Sequence, residues 1–284
     1  EVIARHWSHC ASRLLKFPSG SELLVEGRAP SPGEIVRLPE LAKSLQIIAD
    51  SGSGEFYRGD LAERIINFVR EQGGWLSIDD LADHKSDWVE PINTNYRGYD
   101  VWQCPPNNQG VNVLMGLNII EGFDIPAMGF QTVDMYHHLI ESVRLALTDG
   151  MFHITDPKHM SASVSRLLSK GYAAERRSLI RKKTAIGKVP VGLTNPKGDT
   201  VYVTAIDGDG NACSLINSVY SDFGSGLVVP GTGIALQSRG ASFSLEPTHP
   251  NYLKGGKKPF HTLIPGMVTK HGELMMSYGV MGTV

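Results

Sequence analysis

The chain of 284 residues is poor in cysteine: only Cys10, Cys104 and Cys213 are present. Three scattered thiols make neither a disulfide framework nor a paired-Cys zinc site, and they lean toward a cytoplasmic compartment. No apolar run approaches the roughly 20 residues that a membrane-spanning helix needs, so no membrane role is expected. Neither sign of charge dominates. Lys plus Arg number 27 and Asp plus Glu 29, for a net −2, so nothing draws the chain to nucleic acid or an anionic surface. There is no G-x-S-x-G elbow to seat a hydrolase serine. The glycine-rich stretch 224–233 has no lysine, which excludes a Walker phosphate loop. The Asp207–Asn211 turn fails as a calcium loop, because its sixth and twelfth positions are Ala212 and Ser218 rather than Gly and Glu. His6, His9 and Cys10 lack a second ligand pair, so neither a metal nor any other cofactor is expected. There is also no initiating methionine; the chain starts at Glu1 and is read as a piece of a longer product.

What is present is ordinary globular material, 41% hydrophobic and 20% charged, with 31 glycines that predict many tight turns. The first part reads helical. Apolar spacing predicts helices over 38–50, 108–122, 132–148 and 161–180. A helix after Asp60 is expected to be capped by that residue, with Glu63 closing a capping box, and to end at Gly73-Gly74. A short capped helix is expected over 77–82 and a strand over 96–104. The texture changes at 185–199, which is rich in Pro and Gly and reads as a linker. After it, 200–206 and 212–220 alternate around the DGDGN turn and predict a hairpin. A second hairpin is expected over 263–278.

These exclusions name no nucleophile. Thr200 opens a strand directly after the linker. A threonine hydroxyl needs a base beside it, and the α-amine freed by cutting the bond before it would lie within reach. The ordinary pKa of such an amine, about 8, suits neutral pH. Taken alone, the position fits both a self-made nucleophile and a common strand residue.

The run GDTVYVTAIDGDGNACSLINSVYSDFGSG, followed by VVPGTGIAL and RGASFSL, resembles the small-subunit start of the gamma-glutamyltransferase family. Upstream, FYRG before a helix, GW at 74–75, PPNNQG at 105–110, Thr148-Asp149 and Asp156-Pro157 resemble its large subunit. The resemblance implies an α+β fold, the four-layer αββα sandwich of N-terminal-nucleophile hydrolases, without a cofactor. It implies a precursor that cuts itself between Asp199 and Thr200. The expected parts are a mostly helical 1–199 and a β-rich 200–284 that stay associated and can oligomerise further. By the same resemblance, Thr200 is the nucleophile and its freed amine the base. Ser218 stands where the family has a Thr hydroxyl-bonded to the nucleophile. Gly282 and Thr283 fall on the oxyanion pair, which is Gly-Gly in the family.

The substrate positions depart from the family pattern. Tyr220 replaces an Asn, Arg239 and Ser242 replace the Gln and Asp that hold an α-amino group, and His261-Thr262 replace a Ser pair. An ammonium beside Arg239 would be repelled, whereas a guanidinium fork suits a carboxylate. The RGASFSL run is similar to an oxamate amidohydrolase and cephalosporin-acylase-like subgroup. The expected activity is amide hydrolysis or acyl transfer, with γ-glutamyl transfer as the family activity and a small acidic amide such as oxamate as the alternative. An uncleaved, inactive binding remnant is the reading from a different class. It is motivated by family chains extending further at both ends, where missing strands would leave sheet edges bare. Exported family members make secretion the rival to a cytoplasmic location.

Overall fold

The computed structural model describes residues 1–187 and 198–279. Five helices come first: α1 (Val2–Leu14), α2 (Pro39–Ser51), α3 (Ser53–Arg58), α4 (Asp60–Glu71) and α5 (Ile78–Ala82). Then come a hairpin, β1 (Ile92–Tyr96) and β2 (Tyr99–Gln103), and the helices α6 (Gly110–Ile120), α7 (Val133–His153), α8 (Val164–Leu167) and α9 (Lys170–Arg177). The strands β3 (Gly198–Ile206), β4 (Ala212–Ser221), β5 (Val228–Val229), β6 (Ile234–Ala235), β7 (Pro265–Lys270) and β8 (Glu273–Gly279) complete the described chain. None of the described helices is long and apolar enough to cross a membrane.

Two compact units divide these elements. The first holds Glu1–Trp88 with Val219–Ser238. Its apolar centre joins Leu14, Leu23 and Leu24 to Val228, and Ile65 and Phe68 to Val229. Polar contacts tie the same distant segments. The Glu22 carboxylate accepts the backbone N–H groups of Gly231 and Gly233 at 2.7 and 2.8 Å, and the buried Ser44 hydroxyl donates to the Thr232 carbonyl at 2.8 Å. Gly233 takes φ +63, and a Cβ there would collide with the Leu41 backbone, so this glycine-rich stretch serves a close backbone approach.

The second unit holds Val89–Ser218 and the chain from Arg239 onward. Its four-stranded antiparallel sheet has the order β1-β2-β7-β8. Val101, Val268 and Leu114 pack the sheet against α6. On another face of α6, Val111, Met115 and Ile119 meet Leu145 and Ala146 of α7, together with Ile154, Leu167 and Phe260. Cutting Leu145 to Ala in so closed a cluster costs about 2–5 kcal/mol. β3 and β4 pair as a separate two-stranded sheet. Tyr202 and Thr204 on β3 reach Ser277 on β8, with oxygen separations of 3.2 and 2.7 Å. Val201, Val203 and Leu215 of this hairpin are exposed.

Three local expectations are corrected. Asp60 does not cap α4. Gly59 stands at the cap, and the Glu55 carboxylate accepts the Asp60 N–H at 2.8 Å, the helix-end donor that Glu63 was expected to take. The strand expected over 96–104 begins only at Tyr99, as β2, because Arg97 and Gly98 both take positive φ and reverse the chain after β1. The helix expected over 161–180 is broken. The Ser163 and Ser169 hydroxyls accept from Arg166 and Tyr172 N–H groups, so each starts a new short helix.

Candidate active site

Thr200 is the third residue of β3, and Ser218 lies on the returning strand β4. The turn between them is tied by Asp207, whose carboxylate accepts the N–H groups of Asp209 and Asn211 and the Asn211 side chain at 2.8–3.0 Å. This fixed turn sets the pairing that lets Thr200 Oγ1 donate to Ser218 Oγ at 3.1 Å. The Asp199–Thr200 bond runs within β3.

A second polar group comes from two other segments. Residues 107–109 lie alongside His261: the His261 N–H donates to the Asn107 carbonyl at 2.9 Å, and the Gln109 N–H to the His261 carbonyl at 2.8 Å. The Gln109 side chain adds a 2.8 Å bond from Nε2 to the Thr262 carbonyl. Arg239 begins a short 3-10 turn and is only 5% exposed; its Nη1 donates to Thr262 Oγ1 at 2.5 Å. The buried Ser242 hydroxyl sits 2.7 Å from the carbonyl oxygens of Arg239 and Phe260, and the Asn251 amide donates to the Ser242 carbonyl at 2.7 Å. Ser242 therefore braces the turn that carries Arg239. Burial, with the Arg239 charge adding to it, pushes the His261 imidazole down to about 4, so it is neutral at pH 7.

Thr200 and Thr262 line one cavity of about 420 Å³ in the second unit. Its walls are mostly apolar side chains of α6 and α7, among them Leu117 and Val143, and among the described residues no charged side chain lines it. Gln109 and Asn112 also face it. The structure thus brings Thr200 together with Ser218, and Arg239, Ser242 and His261 with Thr262. Tyr220 is placed in the first unit, buried, with φ +80. Gly282 and Thr283 lie outside the described residues. Reasoning from sequence passed over Gln109 and Asn112. Gln109 was signalled only by the PPNNQG run and Asn112, two residues beyond it, by nothing, because burial of a carboxamide is a tertiary fact. Among the described residues no group of three or more His, Cys, Asp or Glu side chains could hold a metal ion. Cys10 instead lies against Asp222, Sγ to Oδ2 3.4 Å.

Thr200 Oγ1 is thus held by a second hydroxyl and shares its cavity with Thr262, which the buried Arg239 guanidinium bonds, and such hydroxyl and guanidinium groups have the chemistry that acyl transfer uses. Comparison with known proteins points the same way. The family model described as gamma-glutamyltranspeptidase matches residues 1–284. The chain is 38% identical over 279 residues to the glutathione hydrolase-like YwrD proenzyme of Bacillus subtilis, covering 98% of this chain and 52% of that protein. It is 37% identical to the oxamate amidohydrolase proenzyme of Klebsiella pneumoniae, covering 91% and 48%. The crystal structure of cephalosporin acylase from Bacillus halodurans superposes with a TM-score of 0.88 at 44% identity, covering 98% of this chain and 52% of the other. The chain spans about half the length of these relatives.

Proposed function

Because the chain belongs to the gamma-glutamyltranspeptidase family, whose members are enzymes of the N-terminal-nucleophile hydrolase type, we propose that it carries the nucleophile of a self-cleaving amide hydrolase or acyltransferase. The observation that supports this reading is the 3.1 Å bond from Thr200 Oγ1 to Ser218 Oγ. The names of similar proteins as proenzymes add to it. Under this proposal Thr200 Oγ first attacks the carbonyl carbon of Asp199. The peptide C–N bond breaks, the ester left on Oγ is hydrolysed by water, and the Thr200 amine is released. In turnover, Oγ adds to the substrate carbonyl while its proton passes to that amine. The amine returns the proton to the leaving nitrogen as the C–N bond breaks. Water then resolves the acyl ester by the same relay, and an amine in its place gives transfer. Backbone N–H groups of Gly282 and Thr283 would hold the oxyanion. The complete enzyme would adopt the αββα layering, and its two pieces, divided after Asp199, would remain together.

For the acyl group, Arg239 and Thr262 favour a carboxylate without a neighbouring ammonium. Neutral His261 leaves Arg239 as the cation of this group. We therefore place hydrolysis of a small acidic amide ahead of γ-glutamyl transfer. Intact-mass measurement of the purified protein tests the first step, and a fragment that begins at Thr200 is the expected result. Thr200→Ala is expected to abolish both the cut and turnover; full activity in that variant would falsify the assignment. The ratio of kcat/KM on oxamate to that on a γ-glutamyl anilide tests the acyl preference, with a ratio above one expected.

A further inference from the structure

The cavity beside Thr200 contains two buried carboxamides whose hydrogen-bonding capacity is unspent. Asn112 is 5% exposed, and neither its Oδ1 nor its Nδ2 has a partner among the described residues. Gln109 is 6% exposed; Nε2 is used on the Thr262 carbonyl, while Oε1 has no partner among the described residues. A buried polar atom without a partner carries an uncompensated desolvation penalty. Two such side chains facing one cavity together with a candidate nucleophile therefore suit a ligand that satisfies them. The Asn112 carboxamide is also seated against Gly150 of α7, where a Cβ would collide with its side-chain atoms. Helix packing, not solvent, sets its position.

We propose that Asn112 and Gln109 form a specificity-determining pair that binds a neutral group carrying both a hydrogen-bond donor and an acceptor, such as a carboxamide, on an apolar body. The donor requirement follows from the two acceptor oxygens, Asn112 Oδ1 and Gln109 Oε1. The acceptor requirement follows from Asn112 Nδ2. The neutral, apolar character follows from the uncharged lining and the aliphatic walls from α6 and α7. The volume of about 420 Å³ is within the range of small-molecule sites. In the proposed reaction, Arg239 would take the anionic end of the substrate and this pair the neutral end, with the scissile carbonyl at Thr200. This substrate assignment rests on the proposed role of Thr200, but the binding preference does not.

The test compares equilibrium binding of benzamide and acetophenone to the full chain. The two probes are nearly the same size, and only benzamide has a donor. Benzamide is expected to bind about tenfold more tightly, and Asn112→Leu is expected to remove the difference. Val143→Trp, at a half-exposed position on the cavity wall, is expected to abolish binding of both probes with the far-UV spectrum unchanged. Equal affinities in the unaltered chain overturn the proposal without any variant having to fold. So does a preference that survives Asn112→Leu in a folded protein. A cavity that holds only water binds neither probe, and that result also overturns it. Loss of the self-cut in Thr200→Ala, measured alongside, judges the nucleophile separately.

Discussion

At the scale of single residues, the hydroxyl pair is the most direct handle. Ser218→Ala removes the partner that Thr200 Oγ1 bonds. It is expected to lower kcat about fivefold, in keeping with one hydrogen bond of roughly 1 kcal/mol, with KM nearly unchanged. Ser218→Thr keeps the hydroxyl and is expected to restore the rate. His261 gives a pH signature. Its pKa is depressed to about 4 in the folded state from an ordinary 6.5, so the unfolded chain binds the extra proton first as pH falls. Its contribution to stability is complete above pH 6.5 and is lost as pH falls through 4. Urea titrations across that window are expected to show a slope of up to about 1.4 kcal/mol per pH unit, which His261→Asn removes. Thr200, Ser218 and Arg239 were singled out by the family resemblance, and the structure brings the first two within a hydrogen bond. Gln109 and Asn112 were not legible in the sequence, since an unspent amide is defined by what surrounds it in space.

At the scale of elements, α7 poses a conflict between propensity and packing. Gly150 sits inside this helix, where Ala would ordinarily gain about 1 kcal/mol. The new Cβ would meet the Asn112 side chain, and overpacking costs roughly 1–3 kcal/mol. Gly150→Ala is therefore expected to lower Tm and to disturb the cavity, as thermal unfolding with the benzamide probe would report. Elements with a strong period were readable from sequence: α2, α7 and the β3–β4 and β7–β8 hairpins stand close to their expected positions. The misses were local competitions. Glu55 took the Asp60 N–H that Glu63 was expected to reach in the capping box, and two serines restarted helices inside a run with helical spacing. Hydrophobic period fixes where a helix can exist, and it is silent on which polar side chain reaches a backbone donor first.

At the scale of the molecule, each compact unit takes residues from both sides of Thr200. The first unit needs 219–238, and the sheet of the second pairs β2 with β7. Such long-range pairing leaves no mark in local composition. After a cut before Thr200, the two pieces are expected to elute together in gel filtration and to part only in denaturant. Residues 1–199 expressed alone are expected to show helical signal without a cooperative melt. There is also a consequence for timing. The strand that bears the proposed cleavage bond is held by Ser218 and Ser277, both of which leave the ribosome after Thr200. At translation rates of roughly 5–20 residues per second, the wait for those partners is on the order of ten seconds. Under the proposed mechanism the nascent chain therefore cannot arm Thr200 early: a synthesis product stalled before these partners would stay inert, and the reactive amine would appear only on chains that have finished the hairpin and sheet around it.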